Sequence, residues 1–272
     1  MTTKPRFILS MNRVTKAEMQ QLEPPVVIFT ALAWESAAVR SVLRQVRQEG
    51  ERVWRGMAGS QEIMVVTGGI GLRRTQRVLE QFVDVPLAAV LSIGCAGALI
   101  PGLLTGQLIL SPEVCMHSAE KDMQLQRFPV DAQLLVQARS AAVKVGIPIA
   151  EGSLFTSPKV LWTPEEKIQR GQETGAIAVE MESGVHAAFA ASRGLPFLVL
   201  RVVLDGVDMR LPAVRGLTTP EGEVRALRAA LYVTTHPHHL PALLTLRQAR
   251  TSASQALARL CHSLFPSLNL PF

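Results

Sequence analysis

The sequence predicts a three-layer α/β protein, in which helices cover both faces of a mixed, twisted central sheet, with a helical tail at the end of the chain. Short apolar runs of strand length recur along the chain, most clearly at Val26–Leu32, Ala88–Ile93 and Phe197–Leu204. Segments with a helical spacing of apolar residues separate these runs, which is the pattern of an α/β fold. Hydrophobic residues make up 48% of the 272 positions, enough for a substantial core.

The first half of the chain is predicted to begin with an extension and to continue as strands and helices. Residues 1–24 are polar and mixed, and are expected to lie outside the core. Further on, Ala38, Val42 and Val46 have the spacing of one helix face, and Ala58–Gln61 has the composition of a hairpin turn. The predicted elements are a strand at Val26–Leu32, a helix at Glu35–Glu49, hairpin strands at Val53–Ala58 and Glu62–Thr67, a helix from about Thr75 to Val83, and strands at Ala88–Ile93 and Gln107–Leu110.

The segment Val85–Pro112 raises the question of a membrane span, because its 28 residues carry no charge. Glycine and proline interrupt it repeatedly, so we predict two buried strands joined by a glycine-rich loop. The apolar stretch Phe7–Met11 is too short for a signal peptide. Three scattered cysteines indicate a reducing compartment. The expected location is therefore cytoplasmic.

The second half is predicted to alternate helices with strands and to end in a helical tail. Gly146 and Gly194 end two of the helices, and Thr163 caps a third. The predicted elements are helices at Asp131–Val145, from Pro164 and at Ser183–Arg193, strands at Ile149–Thr156, Ile177–Glu180 and Phe197–Leu204, and tail helices at Glu221–Tyr232 and Leu240–Leu264. We place the catalytic domain at 25–220 and the tail at 221–272. The tail is expected to pack on the domain, with a membrane surface or a subunit contact as alternatives.

The net charge of +6 agrees with an anionic substrate, a membrane surface or nucleic acid. The basic residues are scattered, and one Tyr and nine Phe offer little for base stacking, so nucleic acid is not an expected partner. A cluster of His236, His238 and His239 lacks further ligands, and we predict a solvated loop and no metal site.

Three carboxylates stand near the ends of predicted strands. Glu35 follows the first strand, Glu182 lies just past the strand Ile177–Glu180, and Asp205 ends the last strand. Ligands of open α/β sheets bind beyond the carboxyl ends of the strands, so we expect these acids to meet at one edge. Two acids in different surroundings can divide hydroxyl binding and proton transfer between them.

Two glycine-rich segments are predicted to lie at the same edge. The segment Gly68–Gly71 suits close approach of an anion to backbone N–H groups, with Arg73 beside it, although a tight structural turn explains it equally well. It is not a dinucleotide fingerprint, because the third glycine would fall at Arg74. The second segment, Gly94–Ala98, contains Cys95, which is expected to be a small packing residue and not a nucleophile.

These segments together resemble the nucleoside phosphorylase and nucleosidase superfamily, which includes purine nucleoside phosphorylases and methylthioadenosine/S-adenosylhomocysteine nucleosidases. The block Ala178–Ser183 is the most diagnostic part of a resemblance that covers about residues 26–210. The region after Leu240 is most similar to a branch associated with hopanoid biosynthesis. That branch implies phosphorolysis of adenosylhopane, with adenine as the product and no cofactor other than phosphate as co-substrate.

The resemblance also implies roles for individual residues. Asp205 corresponds to the acid that protonates the purine, with a structural cap as the alternative reading, and Glu182 to the carboxylate that accepts both ribose hydroxyls. Met181 corresponds to a residue against the ribose. The remaining implied positions are Gly94 and Cys95 at the substrate, Val160 and Leu161 flanking the purine, and Gly69, Gly71 and Arg73 as candidates for binding phosphate. Glu180 is expected to be structural, and Arg201 to be either a partner of a carboxylate or one half of a buried ion pair.

The identity of the attacking group stays open at this level. Glu35 stands where nucleosidases keep a glutamate that activates water, and Ser92 stands where phosphorylases place a phosphate-binding arginine. These positions favour hydrolysis, whereas the similarity of the whole chain favours phosphorolysis, which we take as the first expectation. A nucleoside-binding protein without activity is a further alternative. The resemblance also implies a homo-oligomer, and a lipid-linked substrate implies peripheral membrane contact.

Overall fold

The computed structural model describes residues 24–118, 124–209 and 240–270. Within these ranges, twelve strands form one mixed sheet with helices packed against it. The strands are β1 Val26–Thr30, β2 Arg44–Gly50, β3 Val53–Ala58, β4 Gln61–Thr67, β5 Ala89–Ala98, β6 Leu108–Leu110, β7 Glu113–His117, β8 Leu125–Pro129, β9 Ile149–Glu151, β10 Leu154–Thr156, β11 Ala178–Glu180 and β12 Phe197–Asp205. The helices are α1 Ala33–Arg40, α2 Leu72–Leu79, α3 Ala132–Lys144, α4 Pro164–Thr174, α5 Ser183–Ser192 and α6 Leu240–Leu264, with 3-10 turns at Glu80–Phe82 and Phe265–Ser267.

Strand β5 is the centre of the sheet. On one side, its first half pairs in parallel with β1 and its far end, at Gly97 and Ala98, pairs antiparallel with β11. On the other side, it pairs in parallel with β12 from Val90 to Gly97. The main path runs β2-β3-β4-β1-β5-β11-β10-β7-β8, and β6 and β9 continue from β12. The strands near the centre are buried along nearly their whole length, as expected for a sheet covered on both faces. The predicted fold class is thus confirmed.

Several elements lie where the sequence predicts them. Strands β3 and β4 form the hairpin, and Asp131 caps α3 by accepting a hydrogen bond from the Leu134 N–H at 2.9 Å. Thr163 and Glu166 form a capping box at the start of α4. The uncharged segment 85–112 supplies β5 and β6, which lie in the core. Among the described residues, no helix has the length and apolar character needed to cross a membrane.

The predicted helix Glu35–Glu49 is wrong in its second half. Helix α1 ends at Arg40, and residues 44–50 form the edge strand β2, which pairs antiparallel with β3. Val46, assigned from its spacing to the buried helix face, is instead 41% exposed on this strand. Charged side chains of β2, β3 and β4 pair across the strands and stabilise this edge: Arg47 with Glu49 and Glu62, and Arg55 with the same two glutamates.

Other differences concern where strands begin and end. The segment Gly94–Ala98, predicted as a loop, continues β5, because small residues there leave room for side chains from other elements. The predicted strand Ile149–Thr156 divides at Gly152 into β9 and β10, which pair with different strands. Strands β7 and β8 were not predicted. The predicted helix Glu221–Tyr232 and the histidine cluster lie outside the described residues.

Helix α6 packs on α1, α3 and β12, which is the first of the arrangements considered from the sequence. Its buried face includes Ala253, Leu257 and Leu260, each with no exposed surface. Arg250 of the same helix lies over the ring of Trp34. The described part of the tail therefore contributes to the core of the domain.

Replacing Leu257 with alanine is expected to lower the free energy of unfolding by roughly 2–5 kcal/mol, because it leaves a cavity in this core. Leu244→Ala, on the exposed side of the same helix, is the matched control and should cost no more than about 0.5 kcal/mol. Urea unfolding monitored by circular dichroism measures both. Equal, small effects would mean that α6 does not depend on this contact.

Candidate active site

The glycine-rich loop between β4 and α2 contacts one of the predicted acids. The Gly71 N–H donates a hydrogen bond to Glu182 Oε1 at 2.7 Å. Gly71 has a φ of 95°, a conformation that side chains rarely adopt, so glycine is required at this turn. The loop thus presents its N–H to a carboxylate of the protein itself.

Glu35 lies at the start of α1 and is almost completely buried. Its Oε2 atom accepts hydrogen bonds from the N–H groups of Ala31 and Leu32, at 3.0 and 2.9 Å, and its Oε1 atom accepts one from Cys95, at 2.9 Å. Gly94 makes this approach possible, because a Cβ atom there would stand 2.7 Å from Oε1. The absence of a side chain at Gly94 therefore lets Glu35 rest against β5.

Asp205, the last residue of β12, is held by a lysine that the sequence did not single out. Lys167 of α4 donates a hydrogen bond from Nζ to Asp205 Oδ2 at 2.6 Å. On the other side stands Gly97, where a Cβ atom would lie 2.9 Å from Oδ2. A lysine in the polar first turns of a helix gives no signal of burial in the sequence, which is why Lys167 was missed.

The first glutamate of the diagnostic block has a structural role, as predicted. Glu180 Oε2 accepts hydrogen bonds from the N–H groups of Glu182 and Ser183, at 2.9 and 2.7 Å, and so caps α5. Arg201 completes a buried ion pair with it, at 3.0 Å. This cap and ion pair hold the backbone from which the Glu182 side chain extends.

A buried polar network joins Arg201 to Ser92 and His186. Ser92 Oγ lies 2.9 Å from His186 Nδ1 and accepts a hydrogen bond from Arg201 at 2.8 Å. The His186 ring stacks on Phe29 with centroids 4.7 Å apart. Burial and the charge of Arg201 lower the pKa of His186 to about 3, so this histidine is neutral at physiological pH. It is a structural element and not an acid or base near pH 7.

The three acids differ in their electrostatic surroundings. Burial, together with the negative charge of Glu180, raises the pKa of Glu182 to about 8. Burial also raises the pKa of Glu35, against the lowering effect of Arg201, and that of Asp205, against the lowering effect of Lys167. Cys95 lies between Glu35 and Asp205, and burial and both carboxylates raise the pKa of its thiol. At neutral pH this thiol is therefore protonated.

The acids meet for a reason that differs from the one predicted. Parallel strand ends were expected to bring Glu182 and Asp205 to one edge, but β11 runs antiparallel to β5. The acids meet because β5 runs past its pairing with β1 and supplies Gly94, Cys95 and Gly97 to the same place. The edge is therefore built on one long strand.

The other predicted site residues differ in burial and in packing. Met181 and Val160 are half-buried, and Leu161 packs with Leu99, Cys115, Phe155 and Ala176 in a small second core. Gly69 packs against Arg74, and the Arg73 side chain is exposed on α2. The structure thus brings together Glu35, Gly71, Gly94, Cys95, Glu182 and Asp205, and gives no such contact for Met181, Val160, Leu161, Gly69 and Arg73. Within the described ranges, no group of His, Cys, Asp or Glu side chains suits a metal ion.

The chain is thus an α/β protein with a buried group of acids and a glycine loop at one edge of a mixed sheet. Comparison with known proteins identifies the family. The profile described as the phosphorylase superfamily matches residues 25–231, and the chain belongs to this superfamily.

Similar proteins with assigned activities are methylthioadenosine/S-adenosylhomocysteine nucleosidases. The one from Geobacillus thermodenitrificans is 30% identical over 128 residues, which cover 43% of this chain and 54% of the relative. The one from Haemophilus influenzae is 25% identical over 199 residues, covering 66% and 85%. The chain thus spans about half the length of the Geobacillus relatives that it matches.

Solved structures share the fold. The Neisseria meningitidis methylthioadenosine/S-adenosylhomocysteine nucleosidase, in complex with methylthio-immucillin-A, superposes with a TM-score of 0.68 at 20% identity and covers 91% of this chain and 100% of its own. The Helicobacter pylori futalosine hydrolase has the same TM-score at 18% identity, covering 90% and 99%. At these identities the likeness establishes the architecture alone.

Proposed function

We propose that this protein cleaves the N-glycosidic bond of a 5′-substituted adenosine and releases adenine. The observation that carries the proposal is Asp205, a buried carboxyl with a raised pKa whose Oδ2 atom is fixed by Lys167. The similar nucleosidases support the choice of an adenine nucleoside.

The proposed role of Asp205 is to protonate the leaving purine. Cleavage passes through a cationic sugar, as in glycoside hydrolysis, and the purine departs readily only when a ring nitrogen accepts a proton. A carboxyl whose pKa is raised by burial retains that proton nearer to neutral pH. The atom positioned to donate it is Oδ1, because Lys167 occupies Oδ2.

Glu182 is proposed to bind the ribose. Its Oε1 atom is held by the Gly71 N–H, so that the carboxyl group has a fixed orientation toward a diol. As positive charge develops on the sugar, the carboxylate form gains stabilisation that it lacks in the ground state. The half-buried Met181, next to it in the chain, is proposed to lie against the sugar.

Two attacking groups are candidates. Water is supported by Glu35, a buried carboxyl whose raised pKa suits a general base. It is supported also by Ser92, which is engaged by His186 and Arg201 inside the protein. Phosphate is supported by Arg73 and Arg74 beside the glycine loop, and by the resemblance to the hopanoid branch, for which the substrate is adenosylhopane. The site geometry favours water as the first candidate.

The test is adenine release from methylthioadenosine, S-adenosylhomocysteine, inosine and adenosylhopane, each with and without phosphate. Release from methylthioadenosine without phosphate supports hydrolysis. Phosphate-dependent release from adenosylhopane supports phosphorolysis, with membrane contact tested next by liposome binding. Tight binding of an adenosine analogue with no adenine release from any substrate would contradict both and support an inactive binding protein. The oligomeric state stays a prediction for sedimentation to test.

Glu35→Gln separates the two attacking groups. If Glu35 activates water, the variant should lose about 10²–10⁴-fold in kcat, because an amide cannot accept the proton. If phosphate attacks, the loss should be small. Kinetics with methylthioadenosine and with adenosylhopane plus phosphate measure the difference. Glu49→Gln, on the edge strand β2, is the control and should leave activity unchanged.

A further inference from the structure

Lys167 is buried to an unusual degree for a lysine, with 1% of its surface exposed. Its Nζ atom lies 2.6 Å from Asp205 Oδ2, 2.8 Å from the Gly206 carbonyl oxygen and 3.0 Å from the Met209 carbonyl oxygen. An ammonium group has three N–H donors, and these acceptors satisfy all three. The lysine therefore ties the carboxylate of β12 to the chain that follows it.

Local contacts fix the helix that carries Lys167, and the strand opposite Asp205 packs closely against the carboxylate. Helix α4 begins at a capping box, with Glu166 accepting from the Trp162 N–H at 2.7 Å, directly before the lysine. Across the carboxylate, the backbone of β5 at Gly97 leaves no room for even a methyl group. Asp205 is thus enclosed between a fixed ammonium group, which engages Oδ2, and the backbone of β5.

A buried ion pair is weak evidence for a role in stability, because removing two charges from water offsets much of their attraction. The location of this pair calls for a different explanation. Glu180 and Arg201 form a second buried pair, in which Glu180 also accepts a hydrogen bond from the Ser183 N–H at the start of α5. The pair formed by Lys167, in contrast, includes Asp205, the carboxyl group that the proposed reaction needs.

We propose that Lys167 is a positioning residue for Asp205: it fixes Oδ2 and the following loop at residues 206–209, so that Oδ1 faces the purine nitrogen. The inference rests on the proposed function. Lys167 does not touch the substrate in this role. It acts through the orientation and the charge of the acid.

The charge of Lys167 also tunes the acid. The groups that interact with Asp205 are Lys167 from α4 and the Cys95 thiol from β5, and Asp208 lies beside Gly206 in the loop that follows. Burial raises the pKa of Asp205, and the ammonium group of Lys167 limits this rise. Without the ammonium group, Asp205 retains its proton to higher pH. The alkaline limb of the kcat/KM profile, where the acid loses its proton, then moves to higher pH.

The experiment compares Lys167→Met with Lys167→Arg. Lys167→Met should lower kcat about 10²-fold with KM within about threefold, because a misplaced catalytic group affects the chemical step. The alkaline limb of its kcat/KM profile should move to higher pH by about one unit or more. Lys167→Arg keeps the charge but not the compact geometry, so kcat should fall while the limb stays in place. Lys144→Met, at the exposed end of α3, is the control.

The same substitution in the Asp205→Asn background tests whether the two residues act together. A lysine that acts through Asp205 should then have almost no further effect on kcat, whereas an equal loss in both backgrounds would overturn the inference. An unmoved alkaline limb in Lys167→Met would overturn it as well. Circular dichroism and analogue binding show whether each variant is folded, and Lys167→Arg provides the comparison if Lys167→Met is not.

A readout without turnover keeps this inference separate from the proposed function. The Asp205 carboxyl can be titrated by ¹³C NMR in labelled protein, assigned with Asp205→Asn. A higher pKa in Lys167→Met than in the wild type supports the coupling even if no nucleoside is cleaved. Equal titrations would overturn the coupling even if adenine is released.

Discussion

Asp205→Asn is expected to lower kcat for adenine release by about 10³-fold, while the Kd for a non-cleavable adenosine analogue changes by less than about threefold. The amide retains the shape of the carboxyl and an oxygen that can accept a hydrogen bond from Lys167. In the wild-type protein, Lys167 donates to Asp205 Oδ2 at 2.6 Å. The amide has no acidic proton for the purine, which must then leave as an anion and is a poor leaving group. Steady-state kinetics and calorimetry measure the two quantities.

The control for this substitution lies at the other end of the same strand. Asp131 caps α3, and its N–H donates to the Phe197 carbonyl oxygen at 2.8 Å, at the beginning of β12. Asn caps helices about as well as Asp, so Asp131→Asn should retain activity and stability. A fully active Asp205→Asn variant would remove the acid role, and a parallel loss of analogue binding would indicate a structural one.

Glu182→Gln is expected to lower kcat/KM by about 10²-fold and, at the same time, to stabilise the protein at alkaline pH. The loss of activity follows from the loss of negative charge next to a cationic sugar. The gain in stability follows from the pKa of Glu182, which burial and Glu180 raise to about 8. A carboxylate that is costly to bury lowers stability, which is the cost expected of a group kept for the proposed activity.

The sign of the pH effect follows from the proton balance. Between the ordinary pKa of 4.5 and about 8, the folded protein keeps the proton on Glu182 while the unfolded chain releases it. Rising pH therefore favours unfolding across this window, and the penalty is complete above it and absent below it. Glu182→Gln should raise Tm by about 5 °C at pH 9 and by almost nothing at pH 4.

Thermal unfolding at the two pH values checks this prediction. Glu80→Gln, an exposed glutamate at the end of α2, is the matched control and should shift Tm by less than about 1 °C at both. A gain of equal size at pH 4 and pH 9 would mean that ionisation is not its cause. An unchanged kinetic profile would remove Glu182 from the site.

Much of the fold could be predicted from local patterns. The buried runs of β1, β5 and β12, the capped helices α3 and α4, and the hairpin of β3 and β4 each depend on residues close together in the chain. The start of α1 was predicted well and its end was not. The spacing of Val42 and Val46 continues a helix, and only the pairing with β3 makes residues 44–50 a strand.

The candidate site divides in the same way. Glu35, Glu182, Asp205 and the glycines stand out in the sequence, because they follow predicted strands, at the edge where ligands of open α/β sheets bind. Their arrangement was not predictable. The β11 strand runs opposite to the expected direction, and Gly94–Ala98 is strand and not loop, since its neighbours come from distant parts of the chain.

The class of fold, the family resemblance and the types of residue available for chemistry follow from the amino-acid sequence. Which of these residues touch depends on the folded chain: Lys167 contacts Asp205, 38 residues away, and Gly71 contacts Glu182, 111 residues away. The physical reason is that secondary structure and caps arise from interactions over a few residues. The environment that tunes a carboxyl arises from burial and charges that the folded chain alone brings together.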